Sequence, residues 1–165
     1  MRVYLVRHGI AAPPGSALEE HRPLTEEGRR LFRLIAAAWT EQGGSPTRWL
    51  VSPLVRAVQT AEIALAAFGE DGPLDIRTEL VPDARVSAAA QLVDDHIGET
   101  LAIVGHQPLI GGLAAFLLGL RSVPAGVETG AVLALDLPET EDDPAPRLAW
   151  HLRPGEPPRL LVPPV

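Results

Sequence analysis

The sequence predicts an α/β fold with a mainly parallel central sheet. Short runs rich in Val, Leu and Ile recur at residues 3–6, 49–51 and 101–104, as buried strands do. Between them, apolar residues return at helical spacing. Each of the three runs ends abruptly at Arg-His, Ser-Pro or Gly-His. Strands alternating with helices are the pattern of a sheet built through helical crossovers.

The elements follow in order. Val3-Tyr4-Leu5-Val6 is a β-prone run that stops at Arg7-His8-Gly9. A loop containing Pro and Gly covers residues 12–24. Thr25 reads as a helix N-cap, with Glu26 and Glu27 in the first turn, where the helix dipole favours negative charge. Leu31, Leu34, Ile35 and Ala38 share one face, so an amphipathic helix spans residue 26 to about 42 and ends at Gly43-Gly44. After the second strand, Ser52-Pro53 reads as a helix start, Ser as cap and Pro at the first helical position. That helix runs to Phe68, and residues 74–77 offer another strand. Ser87 is the expected cap of a helix through Asp95, and Pro108 opens one that reaches Leu118. Residues 131–137 and 148–152 read as strands around an acidic turn at 139–146. Residues 153–165 form a Pro-rich C-terminal tail, expected to be irregular. The expectation is one domain over residues 1–165.

Composition narrows the function. The net charge is −7, which argues against nucleic acid and anionic membrane surfaces as partners. An anionic substrate then needs a local cluster of cations. Cysteine is absent, so thiolate nucleophiles and Cys-ligated zinc are excluded. All 14 basic residues are Arg, which excludes lysine chemistry. The N-terminal apolar run is too short for a signal peptide, and no run is long enough to span a membrane, so a cytoplasmic protein is expected. His21, His96 and His151 lack metal-ligand spacing and read as surface or satisfied core residues; neither metal nor cofactor is expected. Trp39, Trp49 and Trp150 read as packing residues.

In open α/β sheets, ligands bind outside the carboxyl ends of the strands. Parallel neighbouring strands would bring Arg7-His8, Ser52 leading to Arg56, and Gly105-His106 to one rim. Guanidinium forks match phosphate oxygens. An imidazole can act as a nucleophile and form a covalent intermediate. Arg7, Arg56 and a protonated His106 would neutralise the charge of a transferring phosphoryl group.

Val6-Arg7-His8-Gly9, Ser52-Pro53-Leu54-Val55-Arg56-Ala57-Val58-Gln59-Thr60-Ala61 and Val104-Gly105-His106 resemble, in order and strand context, the histidine phosphatase superfamily, also called phosphoglycerate-mutase-like. Arg22-Pro23-Leu24-Thr25-Glu26-Glu27-Gly28 is similar to the segment that follows the superfamily's first motif. The resemblance implies a three-layer α/β/α sandwich. It implies that His8 is phosphorylated, that Arg7, Arg56 and His106 bind the phosphoryl oxygens, and that Arg22 contacts the phosphate or the substrate beside it. Short length without large insertions is most similar to the SixA-type phosphohistidine phosphatases, whose substrates are signalling proteins.

Many superfamily members carry an acidic general acid between the second and third motifs. Glu79 and Asp83 are the candidates here, without the usual surroundings. An imidazole leaving group needs less protonation than an alkoxide, which favours an N–P bond as the target. A small-metabolite phosphomonoesterase and a non-catalytic phosphate-binding module stand as alternatives.

Overall fold

The computed structural model describes residues 1–121 and 126–163. Seven strands form one sheet: β1 (Arg2–Arg7), β2 (Arg48–Val51), β3 (Asp75–Ile76), β4 (Leu101–Gly105), β5 (Val132–Asp136), β6 (Arg147–Arg153) and β7 (Arg159–Leu161). Four helices accompany it: α1 (Glu26–Thr40), α2 (Val55–Ala67), α3 (Val86–Asp94) and α4 (Leu109–Leu117). The spatial order is β3-β2-β4-β1-β5-β6-β7.

The expected parallel arrangement holds from β3 through β2 and β4 to β1. From β5 onward each new strand runs antiparallel to its neighbour, so the whole sheet is mixed. Loops at 137–146 and 154–158 join β5 to β6 and β6 to β7, because antiparallel strands need no helical crossover.

Alternation along β1 divides the core in two. Val3 and Leu5 face α3 and α4, packing with Ala89, Val93, Ile110 and Leu113. Tyr4 and Val6 face α1 and α2, packing with Phe32, Trp39, Ala57 and Ala61. All four β1 residues are fully buried, which is why the run reads as continuously apolar. The tryptophans pack as expected: Trp39 lies 4.9 Å from Tyr4 and 5.7 Å from Trp49, centroid to centroid, and Trp150 lies 5.7 Å from Tyr4.

Several local expectations hold and several do not. Thr25 caps α1, its Oγ1 accepting from Gly28 N at 2.9 Å. Gly28 is required by close approach, since a Cβ there would lie 2.1 Å from the Ile10 carbonyl oxygen. Ser52 does not cap α2, which begins at Val55 behind Leu54; the hydroxyl is engaged elsewhere. Ser87 sits inside the first turn of α3 and Arg85 occupies the cap position. The Pro-rich tail is not irregular throughout. Residues 159–161 return as edge strand β7 on β6, a position where flanking prolines cost no internal ladder bond. Residues 164–165 of that tail lie outside the described residues.

Among the described residues, no helix is long and apolar enough to cross a membrane.

Candidate active site

The sheet register builds the rim. Arg7 pairs with Gly105 across β1 and β4, and Val51 pairs with Val104 across β2 and β4. His8 N–H donates to Gly105 O at 3.0 Å, and Ser52 N–H donates to Val104 O at 3.0 Å. Three adjacent parallel strands therefore end together, as the sequence led us to expect. The His8 and His106 ring centroids lie 4.9 Å apart. His8, His106 and Arg56 are all buried.

The protonation of His8 follows from its neighbours. Its Nδ1 lies 2.7 Å from Gly9 O, and a carbonyl can only accept. Nδ1 therefore carries the proton, and the Nε2 lone pair is left to face Arg56 Nε at 3.4 Å. Burial pushes the pKa of His8 down to about 4; the Gly9 hydrogen bond opposes this, and the charges of Arg56, Arg7 and Arg22 add to it. The ring is neutral at pH 7. Thr60 ties this turn to α2, accepting from Gly9 N at 3.0 Å and donating to Arg56 O at 2.6 Å.

Three guanidinium groups surround the histidines. Arg7 donates through Nη1 to Val127 O at 2.9 Å. Arg56 donates to Glu19 twice, Nη1 to the backbone carbonyl at 2.8 Å and Nη2 to Oε1 at 2.9 Å. Arg22 donates through Nη1 to Glu19 Oε2 at 2.9 Å, so one carboxylate links Arg22 to Arg56.

His106 Nε2 lies 2.8 Å from Ser52 Oγ. Leu54 N–H points at the same oxygen from 3.5 Å, and among the described residues the Ser52 hydroxyl has no acceptor other than His106 Nε2, so its hydrogen is assigned there. The proton of His106 then sits on Nδ1, a buried atom with no partner. Burial first, then the neighbouring His8, Arg56, Arg7 and Arg22, push the pKa of His106 down to about 3. Burial, with the arginine charges adding to it, thus leaves both imidazoles neutral at pH 7, and the protonated His106 expected beside a transferring phosphoryl group would need the charge of that group to hold its proton.

Buried donors without partners converge here. Arg7 Nε, Arg22 Nε and His106 Nδ1 are all buried and unpaired. Unpaired buried donors are costly, and an anion would satisfy them. Cationic forks, a neutral nucleophilic nitrogen and orphan N–H groups together can bind a phosphoryl group and take it onto nitrogen.

The other candidates stand apart. Glu79 lies in a short 3₁₀ turn, Thr78–Leu80, and its carboxylate bonds to Thr78 Oγ1 at 3.5 Å. Leu80 O of that turn would lie 3.5 Å from a Cβ on Gly105, so the segment reaches the rim. Asp83 is exposed. Neither carboxylate hydrogen-bonds Arg7, His8, Arg56 or His106. Gln107 turns away to hold Gly111 N at 2.7 Å through Oε1. His96 Nδ1 bonds Leu92 O at 2.7 Å and His21 is exposed. His151 is buried with Nε2 unpaired, so it is not the satisfied core histidine expected. Among the described residues, no three His, Asp or Glu side chains gather into a metal-holding group.

Sequence reasoning missed Glu19, Thr60 and the Val127 carbonyl. Thr60 had a signal, lying one helical turn after Arg56 in the second motif. Glu19 had none beyond standing three residues before Arg22.

The fold and the histidine–arginine rim are those expected of the histidine phosphatase class. The sequence profile of the Histidine phosphatase superfamily (branch 1) matches residues 3–81. Phosphohistidine phosphatase SixA of Escherichia coli is 32% identical over 143 residues, covering 85% of this chain and 88% of that protein. The chain belongs to the histidine phosphatase superfamily, with SixA among its relatives by sequence and by structure. A solved structure of protein histidine phosphatase SixA with tungstate superposes with a TM-score of 0.81 at 28% identity, covering 92% of this chain and 96% of that one. A mycobacterial glucosyl-3-phosphoglycerate phosphatase shares the fold alone, at TM-score 0.64 and 18% identity, with 89% and 96% of the two chains covered.

Proposed function

We propose that this protein hydrolyses phosphohistidine on a signalling protein through a covalent phosphohistidine on its own His8. The observation that carries the proposal is the His8 tautomer: Nδ1 is committed to Gly9 O, so Nε2 presents its lone pair beside Arg56 Nε. The lone pair attacks phosphorus as the substrate's N–P bond breaks, and the departing imidazole takes a proton from solvent. Water then attacks the phosphorus on His8, releasing phosphate and returning the electron pair to Nε2. Arg7, Arg56 and His106 Nδ1–H bind the phosphoryl oxygens, and Arg22 contacts the phosphate or the substrate next to it.

The similarity to SixA supports the substrate class. The leaving group supports it too, since an imidazole departs without the strong acid an alkoxide requires. Glu79 and Asp83 therefore stay outside the proposed chemistry. Charge neutralisation falls to arginine, and the reaction is proposed to be metal-independent. The proposal treats residues 1–165 as one domain, acting in the cytoplasm.

Purified protein should dephosphorylate a phosphohistidine-bearing protein in excess chelator. Turnover confined to phosphate esters such as p-nitrophenyl phosphate would replace this reading with the small-metabolite one. His8→Ala should lose turnover by more than about a thousandfold and still bind inorganic phosphate. Surviving activity would remove His8 from the mechanism. A wild-type protein that binds phosphate and turns over neither class would be a binding module.

A further inference from the structure

We propose that the Glu19 carboxylate is an internal anion that competes with the substrate's phosphoryl group for Arg22 and Arg56. This rests on the phosphate-site reading above. Glu19 places one oxygen on each guanidinium, Oε1 on Arg56 Nη2 and Oε2 on Arg22 Nη1, both at 2.9 Å. Two oxygens of one anion bridging two forks is the pattern a phosphoryl group would adopt with the same donors.

Exposure marks the carboxylate as the partner free to move. The side chain of Glu19 is 58% exposed, whereas those of Arg22 and Arg56 are 13% and 4% exposed. The cations are largely buried in the site and the carboxylate reaches in from water. Its backbone need not follow, because Glu19 O independently holds Arg56 Nη1 at 2.8 Å. The carboxylate can rotate into solvent while the turn at Glu19–His21 keeps its grip on Arg56.

The arrangement sets a threshold. In the resting protein, two of the three arginine charges are partly neutralised by Glu19. A singly charged carboxylate or ester gains little by replacing it. A doubly charged phosphoryl group gains more, because its attraction to the same two forks is larger. After hydrolysis, the returning carboxylate competes with product phosphate and speeds its release.

A purely structural role predicts the opposite response. If Glu19 served only to orient Arg22 and Arg56, its removal would disorder them and weaken anion binding. The test is calorimetric titration of inorganic phosphate into the full chain and into Glu19→Gln and Glu19→Ala, with thermal melts to establish folding. Glu19→Gln keeps the side-chain shape and removes the charge. Both variants are expected to bind phosphate more tightly, by about tenfold. Unchanged or weaker binding in a folded variant, with wild-type binding intact, would overturn the Glu19 assignment alone. Failure of the wild-type protein to bind phosphate at all would overturn the phosphate site and this inference together.

Discussion

The low basicity of His8 and His106 should be visible as pH-dependent stability. Their pKa values in the folded protein are about 4 and about 3, against roughly 6.5 for an exposed imidazole. At pH 5 the unfolded chain protonates both rings and the folded chain neither. The unfolded state thus binds more protons, so stability rises with pH from about 4 to about 6.5 and levels off above. Where fully developed, the slope is roughly 1.4 kcal/mol per pH unit for each histidine. Between pH 7.5 and pH 5, His8 alone should account for a loss of roughly 2 kcal/mol. Urea unfolding of the wild-type protein and His8→Asn across that range isolates the effect, because the carboxylates titrate alike in both. His8→Asn should gain roughly 2 kcal/mol on the wild type as the pH falls. A stability difference that stays constant with pH would refute the burial argument. Bound phosphate should shrink the effect, since an anion between the rings favours their protonated forms.

Two substitutions probe the supports of the site. Ser52→Ala removes what is, among the described residues, the one partner of buried His106 Nε2, held at 2.8 Å; kcat/KM should fall by about ten- to a hundredfold, and steady-state kinetics that match the wild type would discard the assigned tautomer. Gly28→Ala would improve helix propensity by about 1 kcal/mol, but its Cβ would meet Ile10 O at 2.1 Å. The clash should win by about 1–3 kcal/mol, lowering the melting temperature by about 2–4 °C per kcal/mol; a higher melting temperature would contradict it.

The strand ends were legible because three things coincide in them. Each apolar run is long enough to be a strand, short enough not to be a helix, and broken by residues that do not suit a core. Parallel pairing then leaves little choice about where Arg7, His8 and His106 meet. Residues whose role depends on a distant partner were not legible. Ser52 has a cap's sequence context, and nothing local reveals that its hydroxyl belongs to His106, 54 residues away. Glu19 lies in a Pro- and Gly-containing loop with no periodicity, so only the folded chain brings it to Arg56. Arg7 is held by a backbone carbonyl, which carries no residue-type signal at all. Strand β7 is three residues long and preceded by Pro157 and Pro158, and its pairing comes from an available sheet edge rather than from its own propensity. Nor does the sequence show the burial and the field of Arg7, Arg22 and Arg56 that together lower the basicity of His106.

Gly130 carries a consequence for how the site comes into being. Its N–H reaches both Arg7 O at 3.1 Å and His8 O at 2.9 Å, from a glycine whose φ of 83° few other residues adopt. The same segment supplies Val127 O to the Arg7 guanidinium. The proposed nucleophile follows β1, yet its brackets come from Gly105 and from Val127 to Gly130, far later in the chain. During synthesis His8 therefore emerges well before the residues that fix it. On the proposed mechanism, catalytic competence arrives only once residues 127–130 are in place, so a chain cut short of them would neither strip phosphate from a partner nor hold it on His8.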